Sequence, residues 1–515
     1  MTIKQKINFS SYADFFAIVI VMLAVEFAPP FLRILGSTTW TTLNITEGQW
    51  SIFMASRGLF FIIFILASGV MGDLYGRRRV LLLLLVSFMF CVPILIINPP
   101  LSSVFAITCT LWAILGVMIR TLCVTFLILK YEGRQRILAL VVYSILSGAA
   151  FLLSPLLAST LKQSGSFNSV FIAPLLLTLI AFVSVKKYLP ESRISDDFFR
   201  LDAIALAIWT FGVCLMIYAG LLSGGLGWTS PIVLVGMGIG GAVILMMSWL
   251  SGKPLSKKWS FNLHYDRRLS IAIFAGVVLY LALFAITAQV FNFLNRVQNL
   301  QSIISGIALA PVLVGVLISV QLVRFTSRWK MGEALAAGLV LTGIPALVLS
   351  LVRLDISYWL LLACLVILGA GFIFGNSPRL LLLSASVPRA LTATAQSIGS
   401  ATAHLGSALA YSFMMTLLEG FGMRSYVQIL ETFGFSELQI SIRLTTLARA
   451  SDDISIIAPV EEQAKILQQI DYWIVHAYVT GLSRAMLVLG LVCLFSAAVV
   501  YIGLHNYHRS DGLEY

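Results

Sequence analysis

Residues 69–80, GVMGDLYGRRRV, form a short charged connector between two long apolar stretches. One acidic residue, Asp73, and three arginines at 77–79 occupy a segment too short to form a domain. Gly72 and Gly76 lie close to the acid, and glycine lets helix ends approach each other closely. An acid can also bind the positive N-terminal end of a helix. The segment therefore predicts a tight turn that holds helix ends together at a membrane surface.

The chain around this connector has the composition of an integral membrane protein. Of its 515 residues, 59% are hydrophobic and only 11% are charged, whereas soluble domains are about 25% charged. A helix needs about 20 apolar residues to cross a hydrocarbon core about 30 Å thick. We find fourteen such runs, at residues 14–35, 50–70, 80–98, 104–129, 137–161, 168–185, 203–222, 231–250, 270–294, 303–323, 333–352, 356–378, 392–417 and 478–504.

These runs are too long and too uniformly apolar for the alternating strands of a membrane barrel. We therefore predict an all-α integral membrane fold with 14 transmembrane helices. Two polar connectors bracket spans seven and eight, which suggests six helices, an inserted pair and six more. The predicted units are an N-terminal six-helix half (1–200), an inserted helix pair (201–260) and a C-terminal six-helix half (261–515) with a long outer loop (418–477).

Lysine and arginine are concentrated in alternate connectors, and basic connectors stay on the cytoplasmic side. This bias predicts a multi-pass protein of a bacterial inner membrane with both termini in the cytoplasm, and it places Arg379 in a cytoplasmic connector. The net charge of +12 reflects the same bias. Basic residues at the membrane surface attract lipid headgroups, so this charge does not indicate nucleic-acid binding. The acidic loop 418–477 is predicted either to cap the outer face or to dock a partner.

The sequence contains no sign of enzyme chemistry or of a bound metal. All six cysteines fall inside apolar runs, and no C-x-x-C or other metal-ligand spacing occurs. The H-E-x-x-H, G-x-S-x-G and Walker-type phosphate-loop patterns are also missing from the sequence. We predict that the protein is not an enzyme and uses no cofactor or metal.

The connector at 69–80 carries G-D-x-x-G-R-R, which resembles the signature of the major facilitator superfamily. The resemblance implies two six-helix halves around a central cavity, with Gly72, Asp73, Gly76, Arg77 and Arg78 as a gating motif. Such a motif would latch the two halves together at the cytoplasmic side in the outward-open state. Breaking it would permit the inward-open state.

Further stretches resemble the fourteen-span drug:proton antiporter branch of this superfamily. The segment 133–160, GRQRILALVVYSILSGAAFLLSPLLAST, looks like that branch's fifth helix, and the resemblance assigns Gly148, Ser154 and Pro155 to the antiporter motif. Small residues there permit close helix contact, and the proline predicts a bend. The segment 400–410, SATAHLGSALA, is similar to the branch's thirteenth helix.

Ionisable residues within apolar runs are costly and are candidates for function. Glu26 in span one and Arg57 in span two are predicted either to couple protons to substrate movement or to form a static ion pair. Arg120 in span four is a candidate proton-relay or substrate-contacting residue. Alternatively, its side chain reaches the inner membrane–water interface. The family's fourth-helix arginine would align near Thr110 instead. His404 in span thirteen is predicted to pack or to carry a proton.

These observations predict a proton-coupled secondary transporter that exports small amphiphilic compounds by alternating access, as a multidrug-type antiporter. The alternative is a symporter or facilitator that imports a metabolite on the same fold. The partners would be the substrate, protons and the lipid bilayer, and the protein would act as a monomer. Because basic residues outnumber acids within the spans, we expect neutral, zwitterionic or anionic substrates.

Overall fold

The computed structural model describes residues 13–26, 61–97, 103–131, 135–150, 171–191, 211–219, 230–251, 267–300, 308–325, 330–387, 392–432 and 460–504, apart from positions 62, 137, 141, 213, 214, 217, 299 and 355. Within these ranges the chain is helical and has no β-strand. The prediction of an all-α membrane fold is confirmed. We label the helices α1 (Ala13–Glu26), α2 (Ile63–Tyr75), α3 (Arg77–Ile97), α4 (Ser103–Lys130), α5 (Leu138–Ala150), α6 (Ile172–Tyr188), α7 (Pro231–Ser251), α8 (Arg267–Arg296), α9 (Pro311–Phe325), α10 (Met331–Leu349), α11 (Tyr358–Ala385), α12 (Thr392–Thr432) and α13 (Val460–Leu504).

Helix length and hydropathy agree with a membrane location. In the described part of the chain, six helices are long and apolar enough to cross a bilayer, in α3, α4, α8, α10, α11 and α13. Shorter apolar helices occur at α2 and α5. Several other predicted spans lie partly or wholly outside the described residues, so the count of fourteen stays a prediction.

Polar residues define several helix ends. Gly76 separates α2 from α3 with a φ of +100°, a backbone conformation that L side chains rarely adopt. At the start of α10, the Glu333 carboxylate accepts a hydrogen bond from the backbone N–H of Lys330 at 3.1 Å. At the start of α11, the Ser357 hydroxyl accepts one from the backbone N–H of Trp359 at 3.3 Å. These caps satisfy N–H groups that have no partner within the helix.

The buried apolar side chains form two separate cores. The first core is built from α1, α3, α4, α5 and α6, with α1 packed against α4 and α6. The second is built mainly from α8–α13, with α10 packed against α11 and α13, and it also includes Ile65 and Leu66 of α2 and Val117 of α4. Most of each core comes from one bundle, as expected when each bundle buries its own apolar faces, whereas α2 contributes to the core of the opposite bundle.

Helix α7 stands apart from both cores. The Cβ of an alanine at Gly236 would lie 2.8 Å from the Ala219 side chain, so α7 packs closely against the segment at 211–219. Its contacts with the other labelled helices are sparse, and Ile232, Leu234 and Val235 are exposed on its surface. An apolar, exposed surface of this kind is suited to contact with lipid.

Helices α12 and α13 are much longer than the predicted spans. Their 41 and 45 residues correspond to about 60 Å and about 70 Å, roughly twice the thickness of a hydrocarbon core. We predicted the spans at 392–417 and 478–504, and the helices instead continue into both ends of the interval 418–477. Charged residues interrupt the apolar run from which a span is predicted, but the helix itself continues through them.

These extensions pack against each other near the predicted outer surface. A Cβ at Gly481 would lie 3.0 Å from the backbone nitrogen of Gly422 and 3.2 Å from the carbonyl oxygen of Leu418. The two backbones therefore approach almost to contact. The role of the outer segment as a cap or a docking element stays a prediction, and residues 433–459 lie outside the described part.

Candidate functional site: an inter-half latch and a buried charge cluster

The carboxylate of Asp73 joins the end of α2 to the beginning of α12. It accepts hydrogen bonds from the backbone N–H groups of Ala393 at 3.3 Å and Thr394 at 2.8 Å, and from the Thr394 hydroxyl at 2.8 Å. These donors lie in the first turn of α12, where the helix dipole favours a negative charge. One side chain thus binds the two halves together across more than 300 residues of sequence.

Asp73 is also paired with Arg77, one turn later in the sequence. The guanidinium donates to the same carboxylate from Nη2 at 2.7 Å and from Nε at 3.1 Å. Both side chains are almost fully buried, at 1% exposure for Arg77 and 4% for Asp73. A buried charge pair requires such hydrogen bonds to compensate for lost hydration. We call Asp73, Arg77 and Thr394 the latch.

The next two arginines bind the end of α6. Arg78 donates from its backbone N–H to Glu191 at 3.3 Å and from Nη2 to the carbonyl oxygen of Lys186 at 2.5 Å. Arg79 forms an exposed ion pair with Glu191 at 3.6 Å. Gly76 makes room for this contact, because a Cβ there would lie 2.7 Å from the Glu191 carboxylate.

Glycines allow α2 to approach its neighbours at the latch. A Cβ at Gly69 would lie 2.4 Å from the Ser397 hydroxyl oxygen and 2.6 Å from the carbonyl oxygen of Ala393, both on α12. A Cβ at Gly72 would lie 2.8 Å from the Leu122 side chain on α4. Real Cβ atoms essentially never come this close. A larger residue at Gly69 would push α2 away from the α12 backbone, and one at Gly72 would displace the Leu122 side chain.

A second group of polar residues lies deeper in the bundle. The Glu26 side chain on α1 is 3% exposed; it forms an ion pair with Arg120 of α4 at 3.3 Å and accepts a hydrogen bond from the Ser147 hydroxyl of α5 at 2.5 Å. At 1.5 Å per residue, Glu26 lies about 20 Å from the start of α1, and Arg120 lies about 15 Å from the end of α4. These depths correspond to the middle of a bilayer.

Two tyrosines extend this group toward the second half. Tyr143 on α5 and Tyr280 on α8 both lie close enough to Arg120 to interact with it electrostatically. The Arg120 side chain is 37% exposed despite its depth, so it borders space inside the bundle. We call Glu26, Arg120, Tyr143, Ser147 and Tyr280 the central cluster.

Two further predicted residues lie between the halves. The ring of His404 on α12 packs against Phe61 with their centroids 5.7 Å apart and the rings at 65°. A Cβ at Gly148 on α5 would lie 2.8 Å from the Leu313 side chain on α9, so this glycine allows close packing between halves. Of the other predicted site residues, Arg57, Ser154 and Pro155 lie outside the described residues.

Several contributors were not identified from the sequence. Ser147, Thr394 and Glu191 are ordinary polar residues whose partners are distant in sequence, so no local pattern marks them. Asp14 at the start of α1 forms a buried ion pair with Lys130 at 3.5 Å. Trp112 is fully buried in the first core beside Phe88 and Phe171.

The sequence predicts Arg379 in a connector, but the structure places it elsewhere. It is in α11, which continues to Ala385, and its side chain is buried with 1% exposure. The charge ended the apolar run at residue 378 without ending the helix. In the described part of the chain, no group of three or more His, Cys, Asp or Glu residues comes together as metal ligands would.

Comparison with known sequences agrees with this architecture. Residues 8–293 match the sequence family described as the Major Facilitator Superfamily. The matched range covers more than half of the chain. The chain belongs to the major facilitator superfamily. Proteins of this superfamily are membrane transporters of small molecules and not enzymes, and this chain is a multi-pass membrane protein as expected for the superfamily.

Curated relatives include two bacterial resistance proteins. The chain is 25% identical over 308 residues to the methylenomycin A resistance protein of Bacillus subtilis, an alignment that covers 58% of this chain and 65% of the relative. It is 23% identical over 378 residues to the multidrug resistance protein Stp of Mycobacterium tuberculosis, covering 72% and 68% of the two chains. The chain thus matches less than two thirds of the Bacillus protein.

Solved structures of other superfamily members share the fold. The human organic anion transporter MFSD10 (TETRAN) aligns with a TM-score of 0.55 and 13% identity, covering 93% of this chain and 98% of that one. The peptide transporter PepTSo aligns with a TM-score of 0.56 and 16% identity, covering 96% and 98%. At these identities the likeness establishes the fold alone.

Proposed function

We propose that this superfamily member is a proton-coupled antiporter that exports small amphiphilic compounds by alternating access. The observation that carries the proposal is the buried contact of Glu26 with Arg120 and Ser147 in the middle of the bundle. The multidrug and methylenomycin resistance proteins among its relatives support export of such compounds. The protein would act as a monomer in a bacterial inner membrane with both termini in the cytoplasm.

The two halves would move against each other at the latch. The units at 1–200 and 261–515 would rotate as bodies around a site near the bilayer midplane, and the pair at 201–260 would stay outside the moving core. The latch contacts lie at the predicted cytoplasmic end of the interface between the halves, so breaking them would open that end. The largely separate cores of α1, α3–α6 and of α8–α13 support this division, because most side chains of each half can keep their packing while the interface changes.

Glu26 would couple this movement to protons. In this structure Arg120 supplies the counter-ion of the Glu26 carboxylate, and the Ser147 hydroxyl donates a hydrogen bond to it. A rearrangement that separates Glu26 from Arg120 would remove this counter-ion, and a proton from water would take its place on the carboxylate. Protonation in turn leaves Arg120 without its counter-ion, which favours a different position for its guanidinium. Proton binding and the position of the cluster are therefore linked.

Transport in proteoliposomes tests this assignment. Wild-type protein should accumulate chloramphenicol, a neutral probe, in vesicles whose lumen is more acidic than the outside. The Glu26→Gln variant should retain passive counterflow of the same probe but lose accumulation driven by the pH gradient. Accumulation that requires the acidic side outside would instead indicate symport, the alternative from the sequence.

The Glu333→Gln variant is a matched control for this experiment. Glu333 caps α10, and glutamine fulfils the same capping role, so the substitution removes one carboxylate charge outside the central cluster. This control should transport as the wild type does. If Glu26→Gln still concentrates the probe with normal pH dependence, Glu26 is not the coupling group and its pair with Arg120 is static.

A further inference from the structure

The guanidinium of Arg379 is buried among neutral groups. Its Nε donates to the side-chain oxygen of Asn376 at 2.9 Å, and its Nη1 lies 3.4 Å from both the Gly399 carbonyl oxygen and the Thr402 hydroxyl. The aromatic ring of Tyr280 lies 5.6 Å from the guanidinium carbon. Within the described part of the chain, no carboxylate pairs with this arginine.

The other basic residues inside the bundle have acidic partners. Arg77 pairs with Asp73, Arg120 with Glu26 and Lys130 with Asp14 in the described structure, so each of these charges is neutralised. Arg379 is the exception, and it leaves this part of the interior with one excess positive charge. A buried arginine without a counter-ion is strongly unfavourable and is expected to serve a function.

The position of Arg379 connects it to the proposed transport site. Tyr280 touches the guanidinium and also belongs to the central cluster through its proximity to Arg120. Along α8, Tyr280 lies about 20 Å from the helix start, at the same depth as Glu26. Arg379 therefore lies in the second half beside the groups that we assign to coupling, and Tyr280 lies between the two arginines.

The surroundings of Arg379 are shaped to hold its guanidinium. A Cβ at Gly276 on α8 would lie 2.4 Å from Nη1, so a larger residue there would occupy the place of the charged group. The aromatic rings of Phe372 and Phe284 pack beside Tyr280, with centroids 5.0 Å and 6.5 Å away. An unneutralised cation beside aromatic surface matches an organic anion that has an apolar body.

We propose that Arg379 binds the negative group of a transported organic anion, so that small amphiphilic carboxylates are substrates of this protein. The inference rests on the proposed transport function and adds the substrate class. The carboxylate would supply the counter-ion that Arg379 lacks and would accept charge-assisted hydrogen bonds from its guanidinium. Arg120 would remain paired with Glu26. Arg379 would then bind the substrate carboxylate, while Glu26 and Arg120 would serve proton coupling.

Ligand binding to the purified protein tests the proposal without any ion gradient. The probes are naphthalene-2-carboxylate and naphthalene-2-carboxamide, which share an aromatic body and differ in charge. Wild-type protein should bind the carboxylate at least about tenfold more tightly than the amide, as measured by ligand-dependent thermal stabilisation. The preference should vanish in Arg379→Gln and persist in Arg353→Gln, a matched control at an exposed arginine.

Stability of the unliganded variants separates binding from a structural role. If Arg379 serves to bind anions, Arg379→Gln should leave the unliganded Tm unchanged or raise it, because a buried unneutralised charge is removed. Should that variant fail to fold, Gly276→Ala keeps the charge but displaces the guanidinium, and it should reduce the carboxylate preference. A wild-type protein without the preference, or either variant retaining it in full, would overturn the proposal.

The outcome is independent of the test of proton coupling. Normal pH-driven transport of chloramphenicol together with a failed carboxylate preference would refute only the role of Arg379. Unchanged coupling in Glu26→Gln together with a preserved carboxylate preference would refute the coupling assignment and leave the anion site standing.

Discussion

Replacement of Asp73 by asparagine should open the latch without disrupting either half. Asparagine keeps one side-chain oxygen that can accept from Thr394, but it removes the negative charge at the N-terminus of α12. We expect Asp73 to lose its contacts with α12 in the open state and to keep its pair with Arg77, which lies within the first half. The contacts with Ala393 and Thr394 are therefore the ones that distinguish the two states.

The magnitude follows from those contacts. A hydrogen bond to a charged group contributes about 1.5–3 kcal/mol, and a charge at a helix N-terminus contributes about 0.3–1 kcal/mol or more when partly buried. Since asparagine retains part of the hydrogen bonding, we expect a net loss of about 2 kcal/mol from the closed state. This loss corresponds to a shift of about 30-fold in the ratio of open to closed protein.

Labelling of a cysteine at the latch measures this shift. Ser397 is fully buried on α12 against Gly69, so Ser397→Cys should react with a maleimide only when the latch is open. Adding Asp73→Asn should raise the labelling rate by about 30-fold when opening is fast relative to labelling. The five native cysteines in the described chain are buried, and the parent protein without Ser397→Cys gives their background.

Glu333→Gln is again the matched control, because it removes a carboxylate at a helix N-terminus within one half. It should leave the labelling rate unchanged. Equal labelling of Ser397→Cys with aspartate and with asparagine at position 73 would refute the interpretation of these contacts as a conformational latch. A general loss of stability would be distinguished by a lowered Tm in the asparagine variant.

Three further changes test other parts of the structure. Gly69→Ala should place a methyl group against α12 and raise labelling at Ser397→Cys in the same assay, and unchanged labelling would contradict the close approach. Asp14→Asn alone should lower the Tm more than the double variant Asp14→Asn, Lys130→Gln. The single change leaves the buried Lys130 charge unpaired, at a cost of about 3–5 kcal/mol. Equal Tm values for the two variants would exclude this pairing. Pro155→Ala should straighten the fifth predicted span and increase the proton leak, which is measured with a pH-sensitive dye in proteoliposomes. A normal leak in this variant would show that the proline has a structural role alone.

The sequence identified the features that depend on local chemistry. A uniformly apolar run of about 20 residues is suited to a membrane-spanning helix, so the all-α membrane fold could be predicted from composition and run length. The spacing of glycine, aspartate and arginine at 69–80 also predicted a junction between helix ends. Both predictions succeed because the physical requirement lies within one contiguous segment.

The sequence was less informative about where helices end. Apolar runs mark the part of a helix inside the hydrocarbon core, but backbone hydrogen bonds continue through polar residues. For this reason α12 extends to Thr432 and α13 begins at Val460, well beyond the predicted spans. The same limitation placed Arg379 in a connector, although it is a buried residue of α11.

Only the tertiary structure decided which charged residues meet. The sequence showed that Glu26 is costly within a membrane, but its partner could be any basic residue at a similar depth on a neighbouring helix. The fold brings Arg120 and Ser147 to it from α4 and α5, and it brings Thr394 to Asp73 from the opposite half. Partner choice depends on helix rotation and depth, which are set by the packing of many side chains and have no signature in a single segment.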